Sequence, residues 1–280
     1  MSDLQVQPLA TKKTDLPQSK YMENKIINKF PSMLLNVGRS GSGKSTVVNY
    51  MMTTPNFLKG FYDKVYLFSP TAELDDLAQH LNLKKEFLIT KPTEEKLEKI
   101  MNDQETSIKR SGIEETGRKS KVLIIFDDII SNPQFLKSDA MIRLATMGRH
   151  FLISSIINTQ SYTKVPRAIR LQANALILFP SSNNEVKLLV DDACPPHCEK
   201  KAFMKLIEYA TSGKHDFLFI NNFCPVDTRF RKGFKEYLNP CPSTTPRQGI
   251  GTTSRQPPRV SIPSVPKQVG ARLYEPTHEP

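Results

Sequence analysis

Residues 38–46 read Gly38-Arg39-Ser40-Gly41-Ser42-Gly43-Lys44-Ser45-Thr46, directly after an apolar run from Met33 to Val37. Glycines at the first and sixth positions, then Lys and Ser, make the full phosphate-binding loop pattern. The residue types explain the chemistry. Glycines let the backbone curl so that several N–H groups point inward at phosphate oxygens. The start of the helix expected from Thr46 adds a favourable dipole. Lys44 is placed to reach the β- and γ-phosphates of ATP, and the Ser45 hydroxyl to hold Mg²⁺.

A second cluster of chemistry-bearing residues follows Lys121. Five apolar residues, Val122–Phe126, end in Asp127 and Asp128. This is the pattern of a central parallel strand whose carboxyl end delivers carboxylates to a site. Asp127 is expected to bind the Mg²⁺ directly or through water, and Asp128 to orient an attacking water. A third apolar strand, Phe151–Ile157, leads to Asn158-Thr159-Gln160. Gln160, at the tip of the neighbouring strand, is the candidate sensor of the γ-phosphate.

These groups need a scaffold of alternating strands and helices. Further strands are expected over 64–68, 175–179 and 217–220, and helices over 47–52, 72–81, 94–109, 141–147, 185–190 and 200–210. The stretch 110–121 reads as a polar, glycine-broken loop. The order of elements predicts an α/β fold: a P-loop NTPase with a mostly parallel sheet, helices on both faces and right-handed crossovers. Residues 1–29 read as a polar arm, 30–238 as the ATPase domain, and 239–280 as a basic, disordered tail. Nine of the 21 prolines fall in that tail, which has too few large apolar groups to offset the entropy of ordering.

Composition narrows the function classes. The 280 residues carry 39 basic and 28 acidic side chains, a net charge of +11. That excess favours a polyanionic partner such as nucleic acid. Arg110, Arg118, Lys119 and Lys121 are candidate DNA contacts. No apolar run approaches the length of a membrane span, and the first residues lack the pattern of a secretory signal. Four cysteines in a chain of this length do not suggest a disulfide scaffold, so a reducing, intracellular setting is expected. Cys194-Pro-Pro-His197-Cys198, with Cys224 and Cys241 elsewhere, gives only one close pair of metal ligands; local turn chemistry is the expectation there.

Taken together, the motifs resemble those of the FtsK/HerA superfamily over roughly residues 30–222. Within it they are most similar to the genome-packaging ATPases of poxvirus-type large DNA viruses, virophages and polinton-like elements. The residues that carry the likeness are the phosphate loop, the strand ending in Asp127-Asp128, Gly148-Arg149-His150, Gln160-Ser161-Tyr162 and Pro166-Arg167-Ala168-Ile169-Arg170. The resemblance implies a RecA-like (ASCE) ATPase that assembles as a homo-oligomeric ring, usually a hexamer. Such a ring moves double-stranded DNA through its centre into a preformed capsid, at an intracellular assembly site and beside a capsid or capsid-vertex protein. It also implies an arginine finger supplied by a neighbouring subunit, with Arg149 the first candidate and Arg170 the second. Two departures are visible. Ser161-Tyr162 stands where bacterial FtsK pumps have Arg-Pro, and Asp128 stands where many relatives have glutamate.

A small-molecule kinase would need lid arginines around a compact acceptor site, and a guanine switch protein an Asn-Lys-x-Asp motif, which is absent. A nucleotide-dependent scaffold would not need the second carboxylate, Asp128.

Overall fold

The computed structural model describes residues 16, 26–27, 29–55, 57–73 and 76–241. The expected tail, apart from residues 239–241, and most of the expected N-terminal arm lie outside these.

The chain opens with β1 (Met33–Val37), the phosphate loop and α1 (Lys44–Thr53), then β2 (Lys64–Phe68), α2 (Asp76–His80) and the short β3 (Leu88–Ile89). Next come α3 (Glu94–Ser111), α4 (Ile113–Lys119), β4 (Val122–Phe126), α5 (Pro133–Leu136), α6 (Asp139–Met147) and β5 (Ile153–Thr159). The remainder is α7 (Arg167–Arg170), β6 (Ala175–Leu178), α8 (Asn183–Ala193), α9 (Lys200–Ala210), β7 (Leu218–Asn221), α10 (Val226–Arg229), β8 (Phe230–Lys232) and β9 (Glu236–Leu238).

Among the described residues the strands form one nine-stranded sheet in the order β3-β2-β4-β5-β1-β6-β7-β8-β9. Pairings from β3 through to β6 are parallel, and those from β6 to β9 are antiparallel. Strand alternation divides the core between two faces. Met33, Leu35, Val37, Val122, Ile124 and Phe126 pack on one face with α3, α6, α8 and α9. Leu34, Leu123, Ile125 and Ile177 pack on the other with Val48 and Met51 of α1. Covering both faces is why these strands read as continuous apolar runs.

Several expectations are corrected. Residues 110–121 are not a loop: α3 runs to Ser111, Gly112 turns the chain at φ +81°, and α4 follows. Gly117, which reads as a breaker, is buried, and Thr116 Oγ1 donates to the Ser107 carbonyl at 3.2 Å. Lys121 is not a free basic contact, because its Nζ is 2.7 Å from Asp63 Oδ2 and its side chain is only 11% exposed. Charged as it is, α3 also has a buried face. It is capped by Thr93, carries Glu94 and Glu95 in its first turn, and buries Leu97, Ile100, Met101 and Gln104 along one stripe. Ile26 and Ile27, within the stretch expected to be an arm, are buried in the second core cluster. Of the cysteines, Cys198 and Cys241 are joined as a disulfide, whereas Cys194 and Cys224 form no disulfide among the described residues. Among the described residues no helix is long and apolar enough to cross a membrane.

Candidate functional site

The parallel registers place Val37, Phe126 and Thr159 at the same end of three adjacent strands: β1 pairs Val37 with Thr159, and β4 pairs Phe126 with Ile157. Whatever follows those residues therefore converges. The phosphate loop follows β1, Asp127 and Asp128 follow β4, and Gln160 follows β5. All border one cavity of about 750 Å³, together with Thr71, Phe179 and His215.

The loop conformation explains its residues. Gly38 lies so close to its surroundings that a Cβ there would sit 2.5 Å from Ser42 Oγ and 2.8 Å from Phe179 Cβ. Gly43, the N-cap of α1, has φ +109°, a region that L side chains avoid. Beneath the loop, Asn36 Nδ2 donates to the Lys44 carbonyl at 3.1 Å and to Asn158 Oδ1 at 2.9 Å. This buried pair ties α1 to the tips of β1 and β5.

Lys44 Nζ donates to the carbonyls of Gly38 (2.8 Å) and Arg39 (3.0 Å). Burial pushes its pKa below the ordinary lysine value, with Asp127 and Asp128 opposing the shift. Those carboxylates thus act on the lysine electrostatically, as partners in one site should. Gln160 Nε2 donates to Asp128 Oδ1 at 2.8 Å. Asp128 itself sits in the left-handed region, φ +51° and ψ +25°, a conformation that is uncommon for non-glycine residues and recurs at functional sites. Arg39, Ser40, Gly41, Ser42 and Thr46 complete the loop; all but Arg39 line the cavity.

The donor set fits a hard divalent cation. Ser45 and the Asp127 and Asp128 carboxylates border the same space with oxygen ligands only, the chemistry that suits Mg²⁺.

The two arginine candidates are placed differently. Arg149 is exposed on a 3₁₀ turn, Gly148–His150, outside the cavity lining, with its Nε 3.3 Å from His150 Nε2. Arg170 is held inside its own chain. Its Nε is 2.9 Å from Asp192 Oδ2, its guanidinium donates to the Val165 carbonyl at 2.7 Å and lies 5.1 Å from the Tyr162 ring, and its side chain is 8% exposed. Tyr162 also donates to Asp192 Oδ2 at 3.0 Å; burial and that carboxylate push its pKa upward.

His215 was not foreseen. Its Nδ1 lies 3.0 Å from the Ser42 carbonyl. It reaches the loop because β7 runs antiparallel to β6, pairing Leu218 with Leu178, so the start of β7 meets the end of β6. Nothing local in the sequence signals that reversal.

The family model described as Poxvirus A32 protein matches residues 18–231. The chain belongs to that family. Solved structures of similar fold include the genome packaging NTPase B204 of Sulfolobus turreted icosahedral virus 2 in complex with AMP. Its TM-score is 0.52 at 14% identity, over 72% of this chain and 96% of that one. The DNA-packaging ATPase B204 of Sulfolobus turreted icosahedral virus gives 0.51 at 15% identity, over 70% and 95%. No curated protein sequence matches. At such identities these structures establish the fold of the A32-family chain. The residues above carry its chemistry.

Proposed function

We propose that this A32-family chain is an ATP-hydrolysing motor that translocates double-stranded DNA, the engine that packages a viral genome into a preformed capsid. The observation that carries this reading is the Gln160–Asp128 hydrogen bond over the phosphate loop. A protein that only binds nucleotide needs no water-orienting carboxylate coupled to a γ-phosphate sensor. Family membership, and the packaging role of the B204 proteins that share the fold, support the same reading.

In this reading the loop backbone and Lys44 hold the triphosphate, and Ser45 and Asp127 hold Mg²⁺, whose charge offsets that of the phosphates. Asp128 orients water, and Gln160 changes partner when the γ-phosphate arrives. Arg149, exposed and without a carboxylate partner among the described residues, is the finger for a neighbouring subunit in a ring, a hexamer by family resemblance. Arg170 is committed to Asp192 and has a structural role instead. DNA is held through its phosphates, as sequence-independent transport requires. The capsid partner and the intracellular assembly site follow from the packaging role.

The test is ATP hydrolysis by the purified protein with and without long double-stranded DNA, with Lys44→Ala as control. Stimulation that disappears in the variant and weakens steeply with salt supports the motor. Turnover indifferent to DNA overturns it.

A further inference from the structure

The turn between α8 and α9 reads Cys194-Pro-Pro-His197-Cys198, and the fold brings Cys241 to it from 43 residues away. Ligand atoms of His197, Cys198 and Cys241 all lie within 4.8 Å of one another. The Cα atoms of Cys198 and Cys241 are 5.4 Å apart. Cys194, on the same turn, lies outside that 4.8 Å group, its Sγ 3.7 Å from the Cys198 carbonyl oxygen. Cys224, the remaining cysteine, is buried and outside the cluster. The nucleotide site uses none of these residues.

We propose that His197, Cys198 and Cys241, with Cys194 as fourth ligand, bind one Zn²⁺ when the Cys198–Cys241 pair is in its dithiol form. Three thiolates and an imidazole form a soft, four-coordinate donor set that selects zinc over the hard cations suited to the nucleotide site. A disulfide uses only two of the four groups and gives His197 no role. Two consecutive prolines fix the backbone of the turn, so its three ligands lose little freedom on binding. Cys241 is oriented as well, its N–H donating to Asn239 Oδ1 at 3.0 Å.

The chemistry balances as follows. A dithiol reductant supplies two electrons and two protons to open the Cys198–Cys241 bond and leaves as its own disulfide. Zinc then displaces the proton of each ligating thiol to solvent. The structural effect is a clasp. The β9 edge strand pairs with β8 over only Phe230–Lys232, and the metal would tie the residues just after it to the α8–α9 turn.

The experiment uses the full chain, reduced and metal-stripped under nitrogen, with Co²⁺ as a spectroscopic stand-in for Zn²⁺. The expected result is one metal per chain, an intense thiolate-to-cobalt charge-transfer band and the strong visible bands of tetrahedral Co²⁺, all erased by stoichiometric Zn²⁺. Cys198→Ser and Cys241→Ser should weaken binding by more than the roughly 10- to 100-fold that loss of an outer-shell partner costs. His197→Ala and Cys194→Ser should weaken it too, and Cys224→Ser should leave it unchanged. A measurement on the unmutated protein removes any doubt from misfolding: Zn²⁺ should shield Cys198 and Cys241 from alkylation, mapped by mass spectrometry. Weak octahedral cobalt bands only, wild-type affinity in Cys198→Ser or Cys241→Ser, or alkylation indifferent to zinc would each overturn the proposal.

Discussion

Gln160 and Asp128 are joined by a 2.8 Å hydrogen bond across the tips of two adjacent parallel strands, β5 and β4. The pair links the group that would detect γ-phosphate to the group that would orient water. The chain just beyond Gln160 is tied to α8: Ser161 Oγ donates to Glu185 Oε1 at 2.7 Å, and the Thr163 N–H to Glu185 Oε2 at 2.9 Å. A change of partner at Gln160 thus has a short physical route to α8.

Asp128→Asn tests the carboxylate cleanly. Asparagine tolerates the left-handed backbone at this position and its carbonyl can still accept from Gln160, so little changes but the charge. Nucleotide affinity should stay within about twofold, and turnover should fall by roughly 10²–10⁴, the usual contribution of a general base. Steady-state hydrolysis alongside equilibrium nucleotide titration separates the two. A variant that hydrolyses ATP normally removes Asp128 from the mechanism.

Gly38→Ala puts a methyl group into the space occupied by Ser42 Oγ and Phe179 Cβ. Because Phe179 packs on Phe217 with ring centroids 5.3 Å apart, it cannot yield freely. Overpacking of this kind costs about 1–3 kcal/mol, and the displaced loop should lose nucleotide binding. Denaturant melts together with fluorescent-nucleotide titration would show both effects; unchanged melts and affinity would mean that the loop is not held as described.

Burial makes the Lys44 ammonium less favourable in the folded chain than in water, more than Asp127 and Asp128 offset. The sign follows from proton binding. Between the lowered folded value and the ordinary 10.5, the unfolded chain binds more protons, so stability should rise with pH across that window. Lys44→Met should remove that rise and increase the melting temperature below that window, while abolishing nucleotide binding. Melts of both proteins across the alkaline range decide it, and a destabilised Met variant contradicts the account.

Much of the site was legible because it sits where secondary structure changes abruptly. Val122–Phe126 is apolar on both faces and stops at two acids; Met33–Val37 stops at the glycine-rich loop. The last two strands of the sheet were not legible. β8 and β9 are three residues each and carry Arg231, Lys232 and Glu236, so neither alternation nor an apolar run marks them. α4 was missed because Gly112 and Gly117 read alike, although one turns the chain and the other is packed against its neighbours. His215 depended on β7 reversing direction, a tertiary event. The buried Asn36–Asn158 pair is a polar match between strands 122 residues apart, invisible until the register is known.

His215 is the test of that missed part. A carbonyl only accepts, so the bond to Ser42 requires the proton on Nδ1. Losing it in His215→Ala should weaken nucleotide binding by about 1 kcal/mol, roughly fivefold, with little effect on turnover at saturation. His215→Asn, whose amide can replace the Nδ1 donor, should recover most of the affinity. Equal losses in both variants would show that the imidazole acts in some other way.

Arg149 and Arg170 make opposite predictions. Arg170→Ala leaves Asp192 without its guanidinium, in a pair whose side chains are only 8% and 12% exposed, and should cost about 3–5 kcal/mol of stability. Arg149→Ala should melt normally and bind nucleotide normally, yet lose about 10³-fold or more in assembled turnover. Because a finger acts on the neighbour's site, mixing Arg149→Ala with Lys44→Ala should restore activity that neither shows alone. In mixed rings the first supplies an intact site and the second an intact finger. Failure of complementation, with mixed rings verified by mass spectrometry, would assign Arg149 to its own subunit or to DNA.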